Sequence, residues 1–309
     1  MSVKLRQHQF RGDASGPRLL ITGGVHGDEF EPIAAIRRLA GILETTPLHR
    51  GAITLVPCVN EDAFLLGSRC GSDGLDLART CPGRPDGSVT EQAAHALSQL
   101  IRAADFYIDL HTGGTEFSIV PLAGYVLHSA PDVLDQQRRM ARAFGLPIIW
   151  GTSPELEGRS LSVARDANVP AIYCEYGGAA SCSSAGIEDY INGCLNVLSL
   201  LEMIDRPPSD PPTQKIVEDP RPASGHLQIC NPSPVDGFFE PAVSLGDEIA
   251  ADAPIGKVSD LHSDKSHVIC SQHSGLVLML RTFPPVRTGD SVGIVLATEP
   301  GSTVPAENS

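Results

Sequence analysis

Short apolar runs alternate with longer stretches of helical periodicity between residues 17 and 205. Four runs have the length and composition of buried strands, at residues 18–25, 52–58, 105–110 and 170–174. Four stretches carry apolar residues at helical spacing, at residues 29–43, 90–104, 132–144 and 188–204. Because helices that connect parallel strands cover both faces of a sheet, this alternation predicts an α/β fold with a mainly parallel sheet flanked by helices.

The chain changes character after residue 205. Four prolines fall within residues 206–213, which excludes a helix or a central strand and predicts a stiff linker. Farther on, short apolar runs are separated by Gly, Asp and Pro, which is typical of an all-β unit. These runs lie at residues 256–258, 268–270, 276–280 and 292–296. We therefore predict a catalytic domain at residues 1–205, a linker at 206–219 and a small barrel-sandwich-like β domain at 220–309, with turns at Gly246-Asp247 and Gly289-Asp290.

Charge and cysteine content narrow the partners and the location. A formal net charge of -14 disfavours nucleic acid and anionic membranes, because both bind basic surfaces. No apolar stretch reaches the roughly 18 residues of a membrane span, and the first residues lack the apolar core of a signal peptide. The 8 cysteines are scattered without a CxxC pair, which favours reduced thiols in a cytoplasm. Homo-oligomerisation is left open by the sequence.

Two of the predicted strands lead into histidines with glycines beside them. Residues 23–29 read Gly-Gly-Val-His-Gly-Asp-Glu, and residues 109–114 read Asp-Leu-His-Thr-Gly-Gly. Ligands of open α/β sheets bind at the carboxyl ends of strands, and imidazole and carboxylate groups are good zinc donors. The pattern predicts that His26, Glu29 and His111 bind one Zn²⁺ ion per chain. The alternative for the first motif is a helix-entry loop whose acidic residues favour the helix N-terminus.

Further polar residues complete the predicted site. Glu175 follows a third strand and precedes Gly-Gly, so it is a candidate general base and acid that does not bind the metal. Asp109 shares a strand face with His111 and is a candidate to orient it. Arg69 and Arg79 lie in a polar stretch, where they either bind a substrate carboxylate and a developing oxyanion or form ordinary surface ion pairs.

Together these motifs resemble the succinylglutamate desuccinylase/aspartoacylase family, which is related to the zinc carboxypeptidases. The family patterns Gly-Gly-x-His-Gly-x-Glu, Asp-Leu-His and Glu-x-Gly-Gly match residues 23–29, 109–111 and 175–178. The stretch from Arg69 through residues 76–83 resembles the family's Arg…Asp-Leu-Asn-Arg-x-x-Pro-Gly pattern, except that Ala78 replaces its Asn. The β domain looks like the one in this family, and its Gly-Phe-Phe-Glu-Pro pattern looks most like the branch that deacetylates N-acetyl-2,4-diaminobutyrate.

The resemblance implies a zinc-carboxypeptidase-like fold and a role for each of six residues. His26, Glu29 and His111 would bind zinc, Glu175 would be the general base and acid, Arg69 would lie near the scissile carbonyl, and Arg79 would bind the substrate carboxylate. The expected activity is zinc-dependent hydrolysis of the amide bond of a small N-acyl amino acid. The alternatives are a zinc carboxypeptidase acting on short peptides and a metal- or ligand-binding homologue without catalysis. Missing G-x-G-x-x-G and G-x-S-x-G motifs disfavour a nucleotide-binding enzyme and a serine hydrolase.

Overall fold

The computed structural model describes residues 3–207, 213–222, 224–226, 230–263 and 265–297. The helices in these residues are α1 (Phe30–Leu43), α2 (Glu61–Leu66), α3 (Val89–Ala103), α4 (Pro131–Phe144), α5 (Ser160–Asp166) and α6 (Ser184–Leu200), with a 3₁₀ turn at Leu77–Arg79. The strands are β1 (His8–Arg11), β2 (Ala14–Thr22), β3 (Arg50–Val56), β4 (Phe106–His111), β5 (Phe117–Val126), β6 (Ile148–Thr152), β7 (Ala171–Gly178), β8 (Lys215–Glu218), β9 (Gly237–Pro241), β10 (Glu248–Ile249), β11 (Pro254–Ser259), β12 (Ser266–Cys270), β13 (Gly275–Arg281), β14 (Pro285–Val286) and β15 (Gly293–Ala297). No helix in these ranges is long and apolar enough to cross a membrane.

A sheet of 11 strands forms the centre of the fold. Its main path runs β1-β3-β2-β4-β7-β5-β13-β10, and β6, β8 and β15 pair beside this path. Strands β3, β2, β4 and β7 are mutually parallel, whereas β5 is antiparallel to β7. The predicted α/β class, with a sheet flanked by helices, is confirmed, and the parallel part carries the strand ends where polar residues were predicted to meet.

Alternation along the strands divides the core between the two faces of the sheet. Leu19 and Ile21 pack with α1, α4 and α6 on one face, while Leu20 packs with α3 and α5 on the other. This follows from the period of two in a strand, which sends successive side chains to opposite faces. Helix α3 begins with a capping box in which Ser88 and Glu91 satisfy each other's backbone N–H groups. Both faces of the parallel strands are therefore buried, which explains why these strands read as continuous apolar runs.

The C-terminal segment is shared between two sheets. Strands β12-β11-β9-β14 form a separate antiparallel sheet, as expected for a small β unit. Strand β13, however, pairs with β5 of the central sheet and brings β10 and β15 with it. Both predicted Gly-Asp turns are present, with φ of 90° at Gly246 and 92° at Gly289. The β unit is thus built onto the central sheet by backbone hydrogen bonds, beside the strand that follows His111.

The segment predicted as a linker, residues 206–219, contains an ordered strand. Its part at Lys215–Glu218 is β8, which pairs in parallel with β6, so the prediction of a linker is wrong there. The prolines that suggested a stiff connection are followed by a short β-forming run that the sheet edge accepts. Glu218 is held there by Arg138 at 2.7 and 2.8 Å and by the Tyr125 hydroxyl at 2.6 Å. Residues 208–212 lie outside the described part of the chain.

Candidate metal centre

The candidate site lies at the carboxyl ends of β2, β4 and β7, three adjacent parallel strands. His26 and Glu29 occupy the loop between β2 and α1, His111 is the last residue of β4, and Glu175 lies opposite His111 in the β4–β7 register. Gly27 lets this loop pass close to α2, because a Cβ there would lie 2.0 Å from the carbonyl carbon of Ala63. The sequence signal at the strand ends therefore corresponds to a single place in the structure.

Two imidazoles and one carboxylate converge at this place. His26 Nδ1 lies 2.6 Å from Glu29 Oε1, and His111 Nδ1 lies 3.0 Å from Glu29 Oε2. One donor atom from each residue lies within 4.8 Å of the others, and all three residues are buried. Such a group of two nitrogens and one carboxylate oxygen has the composition of a catalytic zinc site, in which a fourth position is left open.

The far nitrogen of each imidazole faces its own aspartate. His26 Nε2 lies 3.2 Å from Asp76 Oδ1, and His111 Nε2 lies 3.1 Å from Asp109 Oδ2. An Nε2–H that donates to a carboxylate leaves the Nδ1 lone pair facing Glu29, which is the tautomer that a metal ligand requires. Asp109 is itself held by the hydroxyls of Thr22 and Ser160. The donor set thus fits a divalent cation in both chemistry and tautomer.

The charges of these groups are strongly linked in the metal-free site. Burial opposes ionisation of Glu29, but the charges of His26 and His111 hold the pKa of this carboxyl well below its usual range. Burial likewise disfavours a charged His111, yet the adjacent Asp109 and Glu29 raise the pKa of its imidazole well above 6.5. The two carboxylates therefore favour a proton on His111, and a metal that binds its Nδ1 has to displace that proton.

Glu175 lies on the same cavity and differs from the other carboxylates. It is 7% exposed, and its Oε2 has no hydrogen-bond partner among the described residues. Burial raises the pKa of Glu175 to about 8, although the positive charge of His111 partly opposes this shift. A carboxyl group with a raised pKa and a free oxygen is suited to accept and return a proton near neutral pH.

Three arginines line the same cavity. Arg69 donates to Asp76 Oδ2 at 3.0 Å, so Asp76 joins this arginine to His26. Arg79 donates to the Ala78 carbonyl at 2.7 Å and shares the wall with Ala78. Arg159 donates to the Gly225 carbonyl at 3.1 Å. All six residues predicted from the sequence therefore line one cavity.

Sequence reasoning missed Arg159. Burial, together with the charge of Arg79, lowers the pKa of Arg159 to about 10, and no ion pair of its guanidinium occurs among the described residues. Arg159 precedes α5 in a stretch without a motif, and only folding brings it opposite Arg79. The role of Asp76 was also missed, although this residue lies inside the quoted Arg69–Arg79 region of the sequence. Its pKa is held well below the usual range, against its burial, by the hydrogen bond from His26 and the charge of Arg69.

Comparison with known proteins agrees with this geometry. The succinylglutamate desuccinylase/aspartoacylase catalytic domain matches residues 15–201. The chain is 33% identical over 291 residues to the N-alpha-acetyl-L-2,4-diaminobutyric acid deacetylase of Halomonas elongata, covering 91% of this chain and 82% of the relative.

Solved structures give the same assignment. The product-bound ectoine utilization protein EutE (DoeB) of Ruegeria pomeroyi has a TM-score of 0.85 and 26% identity, with 94% of this chain and 88% of that chain covered. A succinylglutamate desuccinylase/aspartoacylase of Rhodobacter sphaeroides has a TM-score of 0.82 and 26% identity, with 95% and 89% covered. The motifs, the fold and the extent of these matches lead to one conclusion: the chain belongs to the succinylglutamate desuccinylase/aspartoacylase family.

Proposed function

We propose that this protein is a zinc-dependent amidohydrolase that cleaves small N-acyl amino acids, with His26, Glu29 and His111 as ligands of a single ion. The observation that carries the proposal is the arrangement of two Nδ1 atoms around one carboxylate beside a buried glutamate with a free oxygen. A site that only binds a metal would need no more than His26, Glu29 and His111, whereas hydrolysis also needs a proton acceptor that does not bind the metal. A cytoplasmic location is part of the proposal, supported by eight free cysteine thiols.

Glu175 is the group that moves protons in this proposal. Zinc, when bound, would supply Lewis-acid activation of water and of the amide carbonyl. Glu175 then accepts a proton from the water that attacks the acyl carbon, and it delivers that proton to the amine as the C–N bond breaks. The products are one carboxylic acid and one amino acid, and Glu175 returns to its starting state. Its raised pKa of about 8 in the metal-free site supports this exchange, because a poorly solvated carboxylate is a stronger base.

Arginines are assigned to the negative charges of the reaction. Arg69 is oriented by Asp76 and lies 3.4 Å from the metal-facing nitrogen of His26, so it is placed to stabilise the oxyanion. Arg79 and Arg159, farther along the cavity wall, are assigned to substrate carboxylate groups, which bind guanidinium in a bidentate manner. Ala78 is the middle residue of the 3₁₀ turn that ends at Arg79, and its side chain offers no polar group, so the carboxylate is held without the amide that the family pattern has there.

The charge of the cavity also favours one kind of amino-acid side chain. Among the described lining residues, the only carboxylates are Glu29 and Glu175, which the proposal assigns to the ion and to proton transfer. A substrate with a cationic side-chain amine, like that named for the Halomonas elongata relative, would find no further carboxylate there. We therefore propose an N-acetyl amino acid with a neutral or acidic side chain as the better substrate, and N-α-acetyl-L-2,4-diaminobutyrate as the decisive comparison.

A substrate panel tests the proposal. The zinc-loaded protein is assayed with N-acetyl-aspartate, N-acetyl-glutamate, N-acetyl-alanine, N-α-acetyl-diaminobutyrate and short peptides with free C-termini. Release of acetate, fastest from the neutral or acidic members, is the expected result. Preferential release of C-terminal residues from the peptides would make the protein a carboxypeptidase. Bound zinc without hydrolysis of any compound would make it a binding protein and refute the proposed activity.

A further inference from the structure

The loop after His111 forms part of the wall of the catalytic cavity. Thr112 and Gly113 of this loop line the cavity, and so does Phe117, the first residue of β5. The loop backbone is tied to the end of β7, since Gly113 N donates to Gly177 O at 3.2 Å and Ala179 N donates to Phe117 O at 2.8 Å. These bonds fix the path of the main chain but leave the orientation of the Phe117 ring to its other neighbours.

The neighbour across the sheet is Arg281, the last residue of β13. It lies opposite Phe117 in the β13–β5 register, and its guanidinium carbon lies 5.4 Å from the centre of the Phe117 ring. Arg281 is 3% exposed, which is unusual for an arginine. A desolvated guanidinium over an aromatic face is attracted by the negative face of the ring, and this attraction restrains the ring plane.

The Arg281 guanidinium is fixed from several directions. It donates to the carbonyls of Phe283 at 2.9 Å, Pro285 at 2.8 Å and Ser291 at 3.4 Å. It also pairs with Glu116 at 3.3 Å and with Asp290 at 3.6 Å. Its position is therefore set by the C-terminal segment on one side and by the residue preceding Phe117 on the other.

A second set of contacts runs parallel to this one. The backbone N–H groups of Thr282 and Phe283 donate to the Glu116 carbonyl at 2.8 and 3.2 Å. Strand β13 also contributes Met279 to the cavity, opposite Ile119 in the register. Phe117, Ile119 and Met279 thus form a continuous apolar wall across β5 and β13, and Arg281 lies directly behind its first member.

We infer that Arg281 is a positioning residue: it holds the Phe117 ring in this wall and thereby sets how large an apolar group the cavity admits beside the metal centre. Arg281 contacts neither the ligand residues nor the empty space, so it acts through Phe117. The inference rests on the proposed function, because the size limit set by the wall is measured with the acyl group of the substrate. It assigns a task in substrate selection to the C-terminal segment and to one buried cation within it.

The test compares acyl chains on one amino acid. The zinc-loaded protein is assayed with the N-acetyl, N-propionyl and N-butyryl derivatives of that amino acid, and kcat and KM are determined separately. One methylene in an apolar pocket commonly changes kcat/KM by about tenfold or more. We expect Arg281→Met to lower the acetyl-to-butyryl ratio of kcat/KM by about tenfold, while the bound zinc per chain is unchanged. Glu116 and Asp290 are 51% and 39% exposed, so removing the cation leaves neither carboxylate buried without a partner.

Two further variants keep the inference falsifiable if Arg281→Met does not fold. Arg281→Lys retains the charge but not the planar fork, so it should shift the ratio in the same direction by a smaller factor. Phe117→Leu should shift the ratio with Arg281 intact, and the double variant should show less than the product of the two single effects, because both act on one ring. Arg138→Met is the control, since Arg138 pairs with Glu218 away from the cavity and should leave the ratio unchanged.

The results separate the two claims. Arg281 variants that fold, bind zinc and keep the wild-type ratio would overturn the inference, and so would Arg281 and Phe117 effects that simply multiply. A wild-type protein that is active while these variants leave the ratio unchanged would refute only the role of Arg281. A zinc-loaded wild-type protein that hydrolyses no N-acyl compound would overturn the proposed function and this inference together.

Discussion

Replacing Glu175 by Gln should slow turnover by orders of magnitude and stabilise the metal-free protein at the same time. The two side chains have nearly the same shape, so the change removes the proton-transfer group and its charge with little change in packing. Positioned general acids and bases typically contribute about 10²–10⁴-fold to rate, and we expect a loss of kcat in that range with zinc still bound. The gain in stability follows from the burial of Glu175.

The size of this gain in stability can be calculated from the pKa of Glu175. Burial raises the pKa of Glu175 from 4.5 to about 8, so the folded metal-free protein keeps the group protonated at pH 7 whereas the unfolded chain ionises it. A raised carboxyl pKa lowers stability, and the penalty begins at the unfolded pKa, grows by about 1.4 kcal/mol per pH unit and levels off above the folded pKa. At pH 7 this amounts to about 3 kcal/mol, and at pH 5 to about 1 kcal/mol.

The assay is urea unfolding of the wild type and Glu175→Gln in a chelator, at several pH values between about 5 and 8. The variant should be more stable, and the difference between the two proteins should increase with pH across this range. Zinc should reduce the difference, because the ion stabilises the charged form of Glu175. A stability difference that does not depend on pH, or a variant less stable than wild type at pH 7, would show that burial does not raise the pKa of Glu175.

Three further predictions concern the surroundings of the ion. Asp109→Asn should weaken zinc affinity by about 10–100-fold, measured by competition with a chelator. Asp105→Asn is the control, because Asp105 pairs with Arg18, and it should leave zinc affinity unchanged. Zinc binding to metal-free Glu175→Gln, which lacks the other group expected to lose a proton, should release about one proton from His111 at pH 7, and the release should fall above the raised pKa of His111. The release is measured calorimetrically in buffers of different ionisation enthalpy, and no release would show that His111 is already neutral. Arg159→Gln should raise KM for an acidic N-acetyl amino acid by about 10–100-fold with a smaller change in kcat, and an unchanged KM would remove Arg159 from substrate binding.

The carboxyl ends of the parallel strands were the part of this protein that the sequence predicted. Apolar runs that end in His or Glu beside glycine indicate both a buried parallel strand and a ligand-binding edge, and the structure brings His26, Glu29, His111 and Glu175 to that edge. This worked because the period of a buried strand and the geometry of a parallel sheet are local properties of the sequence. The eight predicted elements of the first 205 residues all occur, with ends shifted by a few residues.

The rest of the fold and of the candidate site depended on long-range contacts that the sequence does not display. Strand β5 is antiparallel and follows His111 without a helix, so no alternation marked it. The pairing of β13 with β5 decides that Met279 reaches the catalytic cavity, and nothing in a short apolar run specifies its partner strand. Arg159 reaches the same cavity only through the packing of α5 against the sheet. The division into domains at residues 1–205 and 220–309 stays a prediction.

In the proposed function, one metal ion at His26, Glu29 and His111 makes this protein a hydrolase. The most direct measurement is a titration of zinc into verified metal-free protein while acetate release from an N-acetyl amino acid is recorded. Activity should rise in proportion to added zinc and stop rising at about one ion per chain, and His111→Ala should lose both zinc binding and activity. Full turnover by the metal-free protein, or zinc-dependent activity that survives His111→Ala unchanged, would contradict this role of the ion.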